Sequence, residues 1–176
     1  MEATETLPGM EPRAGRERAA EPLVGRLVAG IRELTLPGTP MAMTRPKFNR
    51  KTGFVYRDDV RAARKSEFAQ EWLDLGLPAF ERGQPLAAEF EFVFARPAGH
   101  FGTGRNSGIL KESFLHARPG GGKNGGDLDN LAKLVLDGLE GFAYPNDAAV
   151  AELTLRKRYA GPGEHPHTHL RIRPLI

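Results

Sequence analysis

Cysteine is absent from the 176 residues. That excludes disulfide staples and thiolate metal centres, and it fits a chain working in a reducing cytoplasm. Missing too is any apolar run near the roughly 18 residues that a membrane-spanning helix needs, and the amino terminus lacks a signal peptide's basic-then-apolar order. Residues 1 to about 25 carry few large apolar side chains among their charges, Pro, Gly and Ala. Burial cannot offset the entropy of ordering such a segment, so residues 1–26 are expected to be a disordered tail and 27–176 one folded domain. Extreme charge is lacking as well. A formal net charge of +3 and a pI near 9.4 permit a nucleic-acid partner without demanding one. No internal repeat is present.

What remains is a readable alternation of elements. RELTLP, residues 32–37, predicts a strand with Leu34 and Leu36 facing one way. Residues 38–56 follow as an irregular basic connection broken by Pro and Gly. From Arg57 to about Leu77 a helical stripe runs through Val60, Ala63, Phe68, Trp72 and Leu75. LAAEFEFVF then alternates strictly, with Ala88, Phe90, Phe92 and Phe94 on one face and Glu89 and Glu91 on the other. Residues 97–126 make a Gly-rich basic loop of a length that is usually functional or disordered. A second helix is expected from about Asn130 to Glu140, buried through Leu131, Leu134, Val135, Leu139 and Phe142 and closed by a left-handed Gly141. Two closing strands should point Leu153, Leu155, Leu170 and Ile172 inward. The one-sided patterns predict a two-layer α/β (α+β) domain: a small mixed β-sheet with two main helices on one face and a polar face opposite.

Chemistry concentrates in GGDLDNLAKLVLDGLEGFAYPNDAAV, residues 125–150. Asp127 and Asp129 precede the second helix, where aspartates ordinarily cap. Lys133 can pair with Asp129 or Asp137 at four-residue spacing. A sharper reading is a metal site. In extended backbone an Asp-x-Asp pair projects both carboxylates to one side, roughly 6.6 Å apart along the chain, close enough to share a divalent ion. The helix would be about 18 Å long. Residues 142–147, if extended, retrace about 20 Å, which would return Asp147 to the start of that helix.

These residues resemble the RusA family of Holliday-junction endonucleases. The resemblance rests on DLDNL at 127–131, Lys133, DGL at 137–139 and NDAAV at 146–150, with LPGTPMAMTRPKF upstream similar to the family's first strand and Pro-rich turn. It covers roughly residues 30–174. The long insertion at 100–126 resembles that of longer phage and actinobacterial-type relatives, and KNGG before Asp127 departs from the family's usual proline or basic run. The resemblance implies catalytic acids at Asp127, Asp129 and Asp147 that also ligate metal, and an active-site lysine at Lys133. It implies a magnesium cofactor, with manganese able to substitute, and a homodimer that resolves four-way DNA junctions in recombination and repair. Two other readings stay open at this point: a metal nuclease for other branched or flap DNA, and a non-catalytic DNA-binding module whose acids are caps.

Residues 45–65 hold eight cations (Arg45, Lys47, Arg50, Lys51, Arg57, Arg61, Arg64, Lys65) against Asp58 and Asp59, a local charge of 8 − 2 = +6. Phe48, Phe54 and Tyr56 are interleaved, a mixture that suits phosphate contact and base stacking. Arg45, Lys47, Arg50, Lys51, Arg57 and Arg61, joined by Arg105 and Lys123 of the long loop, are therefore the expected DNA-binding residues. Arg96, Lys111 and Arg118 add charge in or beside that loop. His165, His167 and His169 alternate with other residues and read as a polar strand face beside Arg171 and Arg173 rather than as metal ligands.

Overall fold

The computed structural model describes residues 26–28, 30–44, 47–48, 55–56, 59–120 and 126–175. The expected tail lies outside these apart from Arg26. Among the described residues seven strands and two α-helices follow in order: β1 (Arg26–Val28), β2 (Ile31–Pro37), β3 (Lys47–Phe48), β4 (Val55–Tyr56), α1 (Asp59–Asp74), β5 (Leu86–Phe94), α2 (Leu128–Leu139), β6 (Val150–Tyr159) and β7 (His167–Pro174). Five strands form one sheet in the order β1-β2-β7-β5-β6. Only β5 and β6 run parallel, joined through α2; the other neighbours are antiparallel. The sheet is mixed, as expected. β3 and β4 pair as a separate two-stranded ribbon inside the stretch expected to be irregular, because alternation over two residues is too short to register in a sequence.

Register explains the two faces. Leu34, Leu170, Phe90 and Leu155 stand level across four strands, as do Leu36, Thr168, Phe92 and Lys157 one step along. Leu34, Phe90, Phe92, Leu170 and Ile172 on this face are buried against Phe68 and Trp72 of α1 and Leu131, Leu134, Val135 and Leu139 of α2. Gly138 sits where the two helices cross. A Cβ there would lie 3.1 Å from the Lys65 carbonyl oxygen, so any side chain would press the helices a few tenths of an ångström apart.

Four apolar residues depart from expectation, among them Ala63, which is exposed beside Val60 on the outer side of α1. Val60 is 63% exposed. The first turns of α1 pass over the segment after β2 rather than over the sheet, with Arg61 and Arg64 bonding the Ala42 and Pro37 carbonyls. Phe142 is 42% exposed because Gly141, at φ 81°, turns the chain off the helix axis. Leu153 faces the helix side but lies on β6, an edge strand, and stays 41% exposed. Conversely, Ala87 and Val93 interrupt the polar face of β5 and are buried.

Candidate active site

The amino-terminal end of α2 is braced from three sides. Gly126 has φ +66°, and a Cβ on it would meet the Ala42 Cβ at 2.5 Å, so a side chain is excluded on both counts. Its carbonyl accepts from Lys157 Nζ at 2.9 Å. The Met43 amide donates to the Asn130 carbonyl at 2.8 Å, and Arg61 Nε donates to that of Ala42 at 2.6 Å. The Pro-rich segment after β2 is thereby fixed against the helix start.

Asp127 occupies the N-cap position with extended backbone (φ −80°, ψ 146°), and its carbonyl accepts the first helical amide, that of Leu131, at 3.0 Å. Its side chain makes no capping bond. Asp129 lies in the first helical turn, so the pair is a cap and a helical residue rather than an extended Asp-x-Asp. Both carboxylates are exposed and have no hydrogen-bond or ion-pair partner among the described residues. A capping bond is typically worth about 1 kcal/mol; here that stabilisation is forgone while the helix dipole still favours the negative charge.

Asp147 stands elsewhere. Instead of running back along α2, residues 141–146 fold against its last turn. Ala143 donates to Leu139, Gly141 to Tyr144, and the Tyr144 hydroxyl to the Leu136 carbonyl at 3.1 Å. Burial, reinforced by the nearby Asp147 charge, pushes the Tyr144 hydroxyl well above its ordinary pKa. Asp147 opens a 3-10 turn that leads directly into β6. Lys157, near the other end of β6, is what reaches Gly126. The seven residue steps along β6 from Val150 to Lys157 separate the two places by on the order of 20 Å. Accordingly, no group of three His, Cys, Asp or Glu among the described residues is placed to hold a metal ion. Asp147 too is exposed without a side-chain partner among the described residues, beside an open groove of about 550 Å³ lined by Arg82, Gln84, Asn146 and Ala149 among others.

Lys133 takes one of its ordinary roles, an ion pair with Asp137 at 3.4 Å. Lys65 holds the other Asp137 oxygen more closely, at 2.6 Å. That leaves the Lys133 side chain 60% exposed and loosely held.

Of the expected DNA-contacting residues, Arg45, Arg50, Lys51, Arg57 and Lys123 lie outside the described residues, and Lys47 is described only as β3 backbone paired with Tyr56. Arg61 braces Ala42, as above. Arg105 sits exposed in a 3-10 turn of the long loop. Residues 97–120 of that loop are built into three short 3-10 turns and cross-bridges rather than left irregular.

The polar sheet face carries a paired charge network. Arg158 bonds Glu91 at 3.0 Å and both Glu164 oxygens, at 2.6 and 2.7 Å. Hydrogen bonding from Arg158 lowers the Glu91 carboxyl and holds that of Glu164 down at about 2. Arg171 pairs with Glu33 at 3.3 Å. The histidines behave as a polar strand face: His169 Nδ1 meets the Thr35 hydroxyl at 2.9 Å, and burial lowers its pKa, while His167 Nδ1 contacts the His165 carbonyl.

Sequence reading missed Lys157 and Gly126. Lys157 had a signal, since Leu153, Leu155 and Tyr159 share its face and a lysine interrupts that apolar row. Gly126 was hidden in a run of glycines, and only the Ala42 contact distinguishes it.

No curated protein matches the chain. A protein-family model described as endodeoxyribonuclease RusA matches residues 37–173, from the last residue of β2 to the penultimate residue of β7. The match therefore spans three strands of the main sheet, β5, β6 and nearly all of β7, with both helices and all three aspartates, and the chain belongs to the RusA endodeoxyribonuclease family.

Proposed function

We propose that the protein is a magnesium-dependent, structure-specific endonuclease that resolves four-way DNA junctions by paired nicks, acting as a homodimer in recombination and repair. One observation carries this reading: two carboxylates, Asp127 and Asp129, without a side-chain partner among the described residues, on a helix start that Gly126, Lys157 and Arg61 hold in place. Acids used as caps would be bonded to the helix amides; these are turned to solvent. Hard oxygen donors with open lone pairs suit magnesium, which commonly takes one or two carboxylates and fills its remaining positions with water and phosphate oxygens. A divalent ion bound there supplies an acidified water and neutralises charge on the departing oxygen.

The chain's own residues do the rest. Asp127 and Asp129 would hold the ion, and with it the phosphate to be cut. Lys133, one turn along and loosely held by Asp137, presents a point charge to the scissile phosphate. Asp147 cannot join them within one subunit, so the third carboxylate has to come from a second copy. A two-fold homodimer supplies it twice, matching the two equivalent strands of a junction. A cysteine-free chain suits the reducing cytoplasm in which recombining DNA is handled.

The test is cleavage of an end-labelled four-way junction, a flap and a linear duplex with magnesium, with manganese, and with chelator. Symmetric nicks in the junction that require the metal support the reading. Metal-dependent cutting of the flap in preference to the junction would make the protein a flap nuclease with the same acids. Binding without cutting in either metal would leave a non-catalytic module.

A further inference from the structure

The insertion after β5 has a built form that a DNA-gripping flexible loop would not need. Its base is clamped. Arg96 donates to the Ala160 and Phe114 carbonyls at 3.2 and 3.1 Å and lies 5.5 Å from the Tyr159 ring centre. The His100 ring stacks on Phe114 at 4.1 Å and meets Tyr159 edge-on at 5.1 Å. Above this clamp the two legs pair, Lys111 amide to His100 carbonyl at 2.9 Å and Gly102 amide to Ile109 carbonyl at 2.8 Å. The tip is equally specified. A Cβ on Gly102 would lie 2.5 Å from the Asn106 carbonyl oxygen, and Gly104 and Gly108 have φ of +61° and +81°.

Charge singles out one residue. No acid occurs between Ala95 and Lys111. Arg96 and Lys111 are bonded to the protein's own carbonyls, as is Arg118 beyond them. Arg105, at the tip, is exposed and has no partner among the described residues. It is flanked by Thr103, Gly104, Asn106 and Ser107, all exposed and all small or neutral. The hairpin leaves the sheet at the carboxyl end of β5, the end at which Lys157 holds Gly126 and hence Asp127. Legs of about five residues give a reach of roughly 15 Å. That reach is long enough for Arg105 to meet a phosphate other than the one cut at the acids.

We infer that residues 100–111 form a preformed wing whose Arg105 contacts a second duplex arm, so that the wing selects branched over linear DNA. This rests on the junction-nuclease reading above. The physical reason is preorganisation. A rigid post standing beside the cut site adds a charge-assisted phosphate contact only where a second arm passes it, and no ordering entropy is spent in making that contact. On a linear duplex the post points at solvent.

Binding decides this without reference to cleavage. Fluorescence anisotropy in chelator, with a labelled immobile four-way junction and a linear duplex of equal length, should show wild type preferring the junction. Arg105→Ala should weaken junction binding about tenfold and duplex binding less than twofold, and reduce the junction's salt slope by about one. His100→Ala, which loosens the clamp and keeps Arg105, should lose part of the same preference. Circular dichroism checks that both variants fold. Equal losses on junction and duplex would mean that the wing reads the arm being cut, and losses on neither would mean that it touches no DNA; each overturns the proposal, as does a wild type without preference. Failure of the nuclease reading shows separately, as wild-type protein that binds but does not cut branched DNA with metal.

Discussion

Two clusters of charge in this molecule are treated in opposite ways. On the polar face of the sheet, Glu33, Glu91 and Glu164 each meet an arginine within 3.3 Å or less. At the two ends of α2, Asp127, Asp129 and Asp147 have no side-chain partner among the described residues. Surroundings do not force the difference, since Lys133 and Lys65 stand on the same helix pair and are spent on Asp137. Carboxylates that serve only the fold are paired with cations or amides, because that is where they stabilise it. Acids left bare add nothing comparable to the fold and keep their oxygens open to a ligand. The comparison predicts opposite consequences of mutation in the two clusters.

The largest expected effect is at the bare acids. Asp127→Asn, Asp129→Asn and Asp147→Asn should each reduce metal-dependent junction cleavage by on the order of 10² to 10³ or more. Junction binding should persist or tighten, because a carboxylate that repels phosphate is gone, and thermal stability should hold within about 0.5 kcal/mol, as for unpaired surface groups. A variant that cuts near the wild-type rate would leave its aspartate an ordinary surface acid outside the chemistry.

Mixing variants sharpens the comparison further. Asp127→Asn and Asp147→Asn proteins, each expected to be inactive alone, should form heterodimers when co-refolded if the protein is the proposed homodimer. If each site joins one subunit's Asp127 to the other's Asp147, every heterodimer holds one intact site and one doubly damaged one. Random mixing then restores about a quarter of wild-type activity. Should each chain carry a complete site, mixing restores none.

Lys133 should show a smaller loss. Its pair with Asp137 is exposed and worth at most about 0.3–0.5 kcal/mol, so Lys133→Ala should leave the melting temperature nearly unchanged. Single-turnover cleavage at saturating enzyme should fall about tenfold or more, equivalent to about 1.4 kcal/mol of lost transition-state stabilisation. Lys133→Arg should recover much of the rate. Equal, minor effects from both substitutions would leave the lysine as an ornament of Asp137.

Sheet and helices were legible because periodicity reports burial. Phe90, Phe92, Leu170 and Ile172 on the strands, and Leu131, Leu134, Val135 and Leu139 on α2, are buried as their spacing predicts. Val60, Phe142 and Leu153 misled because a helix that overshoots the sheet, a glycine turn and a strand edge are tertiary facts with no local pattern. Of the candidate site, the residue types and the start of α2 could be read in advance, but the path of Asp147 could not. Counting extended residues after α2 allows a return to its start. The chain instead folds at Gly141, where buried Tyr144 and Ala143 dock on the helix end and on Phe80, and packing outweighs reach. The braces at Gly126 and Lys157 are long-range contacts with Ala42 and across the sheet, invisible to any window of sequence.

The mildest prediction breaks the paired cluster instead. Arg158→Met keeps the aliphatic stem and removes the cation between Glu91 and Glu164. Hydrogen bonds to charged groups contribute about 1.5–3 kcal/mol. With the Arg158 side chain 35% exposed, solvent screening brings the expected destabilisation at neutral pH down to about 1–2 kcal/mol. The pH dependence identifies the cause. Both partners are carboxylates whose folded pKa is depressed, Glu164 from 4.5 to about 2 and Glu91 in the same direction. Stabilisation of this sign is complete above the unfolded value and is lost as pH falls through the folded one. Arg158 itself is pushed upward and stays charged throughout that range. Denaturant titrations of wild type and variant should therefore differ fully at pH 7, and the gap should close as pH drops from about 4.5 toward about 2. A gap that persists undiminished at the acid end would assign the loss to packing of the side-chain stem. In either case junction cleavage at saturating magnesium should be unchanged at neutral pH, since a charge that is already satisfied on the sheet has no part in the chemistry at α2.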